Sequence, residues 1–464
     1  MSLESLRAGH PVAALIVDGA PETPFVAATL AVSASGIDLD IPFLDARSVS
    51  GFEHVDGWRR TGVPQSLQLL VPGAKVSLFD LRYAGENLPS EGASILMVRA
   101  TEAVLAGRDG PVSDPLEVET VRSRLDGLNG WSQVTAVTTD RAVDAESRVY
   151  RLTVVAETGD GVVWRQGDAE MALQAHWRTD NPGVGDERAL LIADDVTLET
   201  TFASPRPFRD HLVEQRKIAN LMVFIYGRSM SFRQHKVRDE RFPARLLSGE
   251  IYDIPYVELV SARTLGEAAS EPPTREDLAR PLALLPAIGV GGLTRWAEVY
   301  DEWKRFILPA VNSLARRGAL IEEVVMSTST AIEAAGRKIG KCDGEEGTYS
   351  SRGKETTATY SYRCLKVLDL PWGDYVMSLR GLAQAMADNY NELKHEDRGD
   401  FPDPRQSYLI GLVNKWVVRL LALRLTGSDH LIEPHRSSGA LWHITQAFEA
   451  NHLRTLESGE WEAF

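Results

Sequence analysis

Between Leu265 and Gly292 the chain carries Pro272, Pro273, Pro281 and Pro286 together with a Gly291-Gly292 pair. A stretch so rich in breakers reads as a linker. The hydrophobic pattern changes period across it. Ahead of it lie short β-branched and apolar runs, Ala13–Val17, Phe25–Val32, Ser66–Val71, Ile95–Val98, Val149–Val155, Val162–Trp164, Met171–Trp177 and Val196–Phe202, separated by Gly, Asp and Pro; these read as antiparallel strands. One stretch there is helical in spacing, with Phe208, Leu212, Ile218, Leu221, Met222 and Ile225 between Pro207 and Tyr226, and strand-like sequence resumes at Arg228–Lys236 and Ile251–Val260. Beyond the linker, apolar residues recur every three to four positions. Helices are expected at 293–317, 319–339, 373–398 and 404–426, with a shorter one near 438–457. The fold class expected is α+β multidomain: a β-rich N-terminal domain over 1–285 followed by an all-α bundle over 290–464. The chain's 464 residues suffice for two such cores.

Helix 404–426 has the clearest ends, since Asp403 is placed to N-cap it, Pro404 takes the first helical position and Gly427 follows its last turn. Its expected buried stripe is Leu409, Leu412, Val413, Trp416, Leu420 and Leu423. The helix before it repeats that spacing with Leu379, Leu382, Ala383, Met386, Tyr390 and Leu393, so the two are expected to pack antiparallel. Lys341–Tyr362, polar and rich in Gly, Ser and Thr, reads as a long loop.

Fifty Lys+Arg against 65 Asp+Glu give a net charge of −15, which excludes a surface that clamps nucleic acid everywhere and restricts any such site to a local patch. Most of the excess lies before residue 290. Two basic segments qualify, Arg206–Arg241 and Arg337–Lys366. The two cysteines, Cys342 and Cys364, cannot form a disulfide framework. The opening Met1-Ser2-Leu3-Glu4 starts no signal peptide, and the most apolar stretch, Tyr408–Leu425, carries Lys415, Arg419 and Arg424. A cytoplasmic protein without membrane contact is expected.

Several apparent motifs fail on spacing. Gly336-Arg-Lys-Ile-Gly340-Lys341-Cys342 has three residues between its glycines where a phosphate-binding loop needs four, and a Cys where Mg²⁺ needs a hydroxyl. Gly289-Val-Gly291-Gly292 follows no strand and lacks a third spaced glycine. The ten histidines include no His-x-x-x-His and there is no Cys-x-x-Cys, so neither a metal nor a cofactor is expected. Glu392-x-Lys394 lies in a helical stripe, where the end of a nuclease PD-(D/E)xK motif would need a strand.

The segment Ala387-Asp-Asn-Tyr390-Asn391-Glu-Leu-Lys394-His395-Glu-Asp-Arg398-Gly399 closes one helix just before the next. Asn391 and His395 stand four apart, so their side chains can reach a common point. A histidine near a helix C-terminus is also favoured there by the macrodipole alone. An asparagine, three residues and a histidine closing a helix, followed by a second amphipathic helix with Trp416, resembles the HEPN domain, whose motif is Arg, a polar residue, three to five more residues and His. Ser329-Thr-Ala-Ile-Glu333 resembles that family's small-residue helix with an embedded Glu. The N-terminal strands, the segment Leu125-Asp-Gly-Leu-Asn-Gly-Trp131 and the helix after Ser204-Pro205 are similar to the N-terminal domain of ApeA-type bacterial defence proteins.

The resemblance implies an anti-phage abortive-infection effector: a sensing N-terminal domain open to a phage-derived trigger, and a HEPN domain that homodimerises and cleaves RNA, tRNA being one candidate, without a metal or other cofactor. His395 would be general acid/base, with Asn391 orienting it or the phosphate. Where the family has Arg this chain has Tyr390, which is counted with His395 and Asn391 among the catalytic residues as a hydrogen-bonding phenol or else packs on the apolar stripe, so Lys394 or Arg398 would supply the cation and Arg352, Lys354 and Arg363 would contact RNA. The same departure leaves open a HEPN module that binds RNA or assembles a complex without cutting.

Overall fold

The computed structural model describes residues 10–17, 25–44, 53–89, 92–109, 115–159, 161–181, 188–395, 401–427, 429–437 and 439–464. The chain divides into two compact units: Met1–Asn129, Val134–Gln215 and Ser231–Pro273 form the first, and Gly130–Gln133, Arg216–Met230 and Thr274–Phe464 the second. The units thus part at Pro273, earlier than the 285–290 boundary expected, and the second also takes short pieces from ahead of the linker.

The first unit is built on β1 (Val12–Val17), β2 (Val26–Ser33), β3 (Gly36–Phe43), β4 (Ser66–Val71), β5 (Ala74–Phe79), β6 (Arg82–Asn87), β7 (Ser94–Ala100), β8 (Glu102–Val104) and β9 (Glu117–Leu125). There follow β10 (Val137–Val143), β11 (Val149–Ala156), β12 (Val162–Gln166), β13 (Ala169–Asp180), β14 (Leu191–Pro207), β15 (Phe232–Arg238) and β16 (Val257–Ser261). All but β10 and β11 join one antiparallel sheet in the order β12-β13-β14-β9-β15-β16-β8-β5-β4-β1-β2-β3-β7-β6. Alternation sets its inner face: Leu30, Val32, Ile37, Leu39, Ile41, Leu69, Val76, Leu78, Leu96 and Val98 interleave with polar neighbours and meet in one core. Strands β10 and β11 pair only with each other, and Val149, Tyr150, Leu152, Val154 and Val155 of this ribbon are exposed.

Helix α1 (Phe208–Tyr226) begins in the first unit, where two buried polar side chains tie it to the sheet. The His211 ring nitrogens lie 3.1 and 3.0 Å from the carbonyls of Thr200 and Val118. Gln215 bonds the carbonyls of Val121 and Leu198 and accepts the Ser123 hydroxyl at 2.6 Å. Such buried groups persist only when partnered.

The second unit holds the rest of α1 with α2 (Leu285–Tyr300), α3 (Lys304–Ala315), α4 (Ile321–Ile339), α5 (Thr357–Leu368), α6 (Leu379–Lys394), α7 (Pro404–Arg424) and α8 (Trp442–Ala450). The linker expectation over 265–292 is corrected at its end, for α2 starts at Leu285 and spans Pro286, with its helical angles interrupted at Gly289 (φ 68°). The expected helix 293–317 is two, and the loop expected over 341–362 ends at Thr356, whose side chain caps α5 in a capping box with Thr359.

Helix α7 forms as expected, with Asp403 accepting from the Arg405 N–H at 2.7 Å. It is buried nearly all round, Ile410, Val417, Val418 and Leu421 included, because it lies centrally in the bundle. Leu412 and Trp416 of the expected stripe are only half-buried. Helix α7 packs chiefly on α4 and α6 chiefly on α5; α6 and α7 also meet, but over a smaller surface than either of those pairs. Two glycines permit this approach. A Cβ at Gly336 would lie 2.3 Å from the Tyr360 carbonyl oxygen, and one at Gly411 2.6 Å from Ile321 Cδ1. Arg419 of α7 caps the C-terminal end of α1, donating from Nε to Phe224 O and from Nη2 to Ile225 O, both at 2.8 Å. Burial lowers its pKa to about 10.

Candidate active site at the end of helix α6

Ser378 opens α6 by accepting the Gly381 N–H at 3.0 Å. Leu382, Ala383, Met386, Ala387, Asn389 and Tyr390 form its buried face. That face fixes where the last turn presents its polar groups. Tyr390 is 4% exposed, and its hydroxyl lies 3.5 Å from that of Thr330 on α4, which in turn donates to Met326 O at 2.8 Å. The Lys394 ammonium stands 5.1 Å from the centre of the Tyr390 ring, within cation–π range. Tyr390 therefore packs α6 against α4 with its polar tip held and a cation over its face.

The helix ends at Lys394, and His395 leaves it with extended angles (φ −125°, ψ 107°) while its backbone N–H still bonds Asn391 O at 3.0 Å. Asn391 and His395 are thus one turn apart, half-buried, and neither side chain makes a hydrogen bond or ion pair among the described residues. Burial, then Asp388, raises the Glu392 pKa, so acidic side chains border the same turn. Arg398 lies outside the described residues.

Sequence reasoning missed two contributors. Asn389, buried and one residue before Tyr390, donates to the Ser407 hydroxyl at 3.1 Å and ties α6 to the first turns of α7; its Oδ1 is buried without a partner. Thr330 was within the segment compared with the small-residue helix, and only the fold brings it to Tyr390. Glu333 of that segment pairs instead with Arg337, one turn on.

The three basic residues expected upstream separate. Arg352 and Lys354 are exposed around a turn in which the Ser350 N–H bonds Lys354 O at 2.9 Å, and neither makes an ion pair among the described residues. Arg363 corrects the expectation of an RNA contact. It is 2% exposed, donates from Nε and Nη2 to the two oxygens of the buried Glu345 at 2.7 Å each, and reaches Glu355 as well. Its donors are spent inside the protein. The Arg363 hydrogen bonds, joined by the Tyr349 hydroxyl and the Cys342 N–H, hold the Glu345 carboxyl at about 2.

The basic segment Arg206–Arg241 is compensated in part, with Arg206 on Asp168, Arg228 on Asp277, Arg233 on Asp126 and Arg241 on Asp239, while Lys236 makes no ion pair among the described residues. Among the described residues no three His, Cys, Asp or Glu side chains converge as metal ligands would, and no helix is long and apolar enough to cross a membrane.

Residues 21–242 match the family model of ApeA N-terminal domain 1. No curated protein and no solved structure matches the chain.

Proposed function

This chain is an ApeA-type defence protein by its N-terminal domain, and from that premise we propose that its helical unit is a HEPN-type, metal-independent endoribonuclease acting against phage infection in the cytoplasm. The observation that carries the reading is the end of α6, where Asn391 and His395 stand one turn apart, both without protein partners among the described residues, beside Lys394. An imidazole so placed takes the proton of a ribose 2′-hydroxyl; the 2′-oxygen bonds to phosphorus, the bond to the 5′-oxygen breaks, and that oxygen leaves with a proton. In-line displacement needs a base on one side and an acid on the other. A homodimer through the helical unit supplies both as two copies of His395. Asn391 and Lys394 offer a donor and a positive charge to the oxygens on which charge builds. RNA, with tRNA a candidate, is the substrate, and a phage-derived trigger engages the N-terminal domain.

The test is the end chemistry of RNA. Cleavage in EDTA that leaves 2′,3′-cyclic phosphate and 5′-hydroxyl ends, and that falls roughly 100-fold or more in His395→Ala at unchanged melting temperature, is the expected result. His395→Ala that still cuts would refute this assignment.

One observation favours a second reading, a HEPN module that binds RNA or assembles a complex without cutting it. Where the family has Arg, Tyr390 is buried against Thr330. RNA that is bound and left intact under triggering conditions would establish that reading.

A further inference from the structure

At the end of β9 the first unit's sheet opens. Strand β14 pairs with β13 from Leu191 to Thr201, but with β9 only from Leu198 onward. Its stretch Leu191–Thr197 therefore has a strand on one side alone. The Val196 N–H, left over on the other side, is taken by Asn129 Oδ1 at 2.8 Å. Beside this gap lies a cleft of about 300 Å³ with Arg122, Arg124, Trp177, Arg178, Asp194 and Lys236 in its walls.

These side chains divide by what they already hold. The Arg122 guanidinium stacks 3.7 Å from the centre of the Tyr256 ring and donates to Glu199 at 2.8 Å. Glu199 also accepts the Tyr256 hydroxyl at 2.9 Å and lies 3.3 Å from His176 Nε2. This group is a closed floor. Arg124 is paired with Asp195. Arg178 and Lys236 are different, since neither makes an ion pair among the described residues, although most arginines of this unit do. Two uncompensated cations on one cleft, in the more acidic part of the chain, attract a multiply charged anion.

Two further features specify more than an anion. Trp177 is 43% exposed in the cleft wall, a large flat apolar surface that an inorganic ion cannot use. Asp194 uses Oδ2 to accept the Thr135 hydroxyl and the Ala136 N–H, while its Oδ1 is buried with no partner. A buried acceptor left unmet calls for a donor. Negative charge, a flat ring and an N–H donor occur together in a nucleotide. The volume, at the lower end for small-molecule sites, suits a single one.

We propose that this cleft binds one free nucleotide, its phosphates on Arg178 and Lys236, its base against Trp177, and an exocyclic amine of the base donating to Asp194 Oδ1. The site is independent of the reading given to the helical unit.

Isothermal titration calorimetry on the full chain, freed of copurified nucleotide, tests this with ATP, GTP, CTP, UTP and inorganic pyrophosphate. At least one amine-bearing nucleotide should bind tenfold or more tightly than pyrophosphate, and UTP, which lacks the amine, several-fold more weakly than that nucleotide. Arg178→Ala with Lys236→Ala should cost at least tenfold for every ligand at unchanged melting temperature, since neither side chain has an ion pair to lose; Lys236→Met alone replaces it if the double variant fails to fold. Trp177→Ala should weaken nucleotide and leave pyrophosphate unaffected. Nucleotides no tighter than pyrophosphate, nucleotide binding that survives loss of both cations, or binding confined to RNA oligomers would each overturn the proposal.

Discussion

Arg363→Ala separates a structural cation from an RNA contact by the size and pH dependence of its effect. The guanidinium is almost fully buried and its two hydrogen bonds to Glu345 are the shortest that carboxylate receives beside the Tyr349 hydroxyl. Removing it strands Glu345, itself fully buried, with the Tyr349 hydroxyl and Cys342 N–H as remaining donors. Breaking a buried ion pair from one side costs about 3 to 5 kcal/mol. The two surviving donors place this case at the lower end, about 3 kcal/mol. In a unit of this size that amounts to a fall of roughly 6 to 12 °C in melting temperature. Because the Glu345 carboxyl is held at about 2, below its ordinary 4.5, the pair's contribution is complete above about pH 4.5 and fades as the pH falls toward 2. Calorimetric scans of the two proteins should therefore differ most near neutrality and converge under acid. Arg363→Met with Glu345→Met should recover most of the loss, since a buried pair can be replaced by apolar residues of similar volume. Equal melting temperatures at neutral pH, with RNA affinity alone reduced, would refute the argument and return Arg363 to the surface.

Three more outcomes follow from the packing of the helical unit. Gly336→Ala should destabilise by about 3 kcal/mol in denaturant titrations, because its Cβ would press into the Tyr360 backbone and α4 and α5 would have to part. Tyr390→Phe should cost under about 1 kcal/mol, its hydroxyl making one long hydrogen bond, whereas Tyr390→Ala should cost about 3 to 5 kcal/mol by emptying the α4–α6 contact. If Tyr390→Phe instead keeps full stability and loses RNA cleavage, the phenol belongs to the site chemistry. Arg419→Lys should destabilise by about 2 kcal/mol, since one ammonium replaces a fork aimed at two carbonyls, and hydrogen exchange should quicken in the last turn of α1.

Strand alternation and helix punctuation make the two-part architecture legible in the sequence. Helix α7 is the clearest case, because the Asp403 cap and Pro404 are local signals and act locally. Helix α5 escaped notice for the opposite reason. Its buried face includes Thr359, Ser361 and Arg363, which mimic a polar loop until the partners Thr348 and Glu345 are known. The candidate site shows the same division. Tyr390, Asn391, Lys394 and His395 lie together because they are neighbours in sequence, and the apolar stripe allowed Tyr390 a packing role as readily as a site role. Thr330 and Ser407 come from distant helices, and no local pattern announces them. The free cations of the β-rich unit were hidden too, since Lys236 stands in a basic run in which Arg206, Arg228 and Arg233 are neutralised by acids far along the chain.

The assignment of Arg216–Met230 to the helical unit has a consequence for how such a protein can be recombined. A cassette excised after Pro273 would leave behind Phe224, whose ring stacks on Phe306 and meets Trp296 edge-on, and Asn220, which donates to the Tyr300 hydroxyl. It would also lose the Lys217 carbonyl that accepts from the Trp296 indole and both carbonyls that Arg419 caps. Gene fusions and lineage shuffling that join a new N-terminal partner at the Pro-rich linker would inherit a bundle with an open seam. A transferable module must bring its own copy of the second half of α1, or keep the original partner in full.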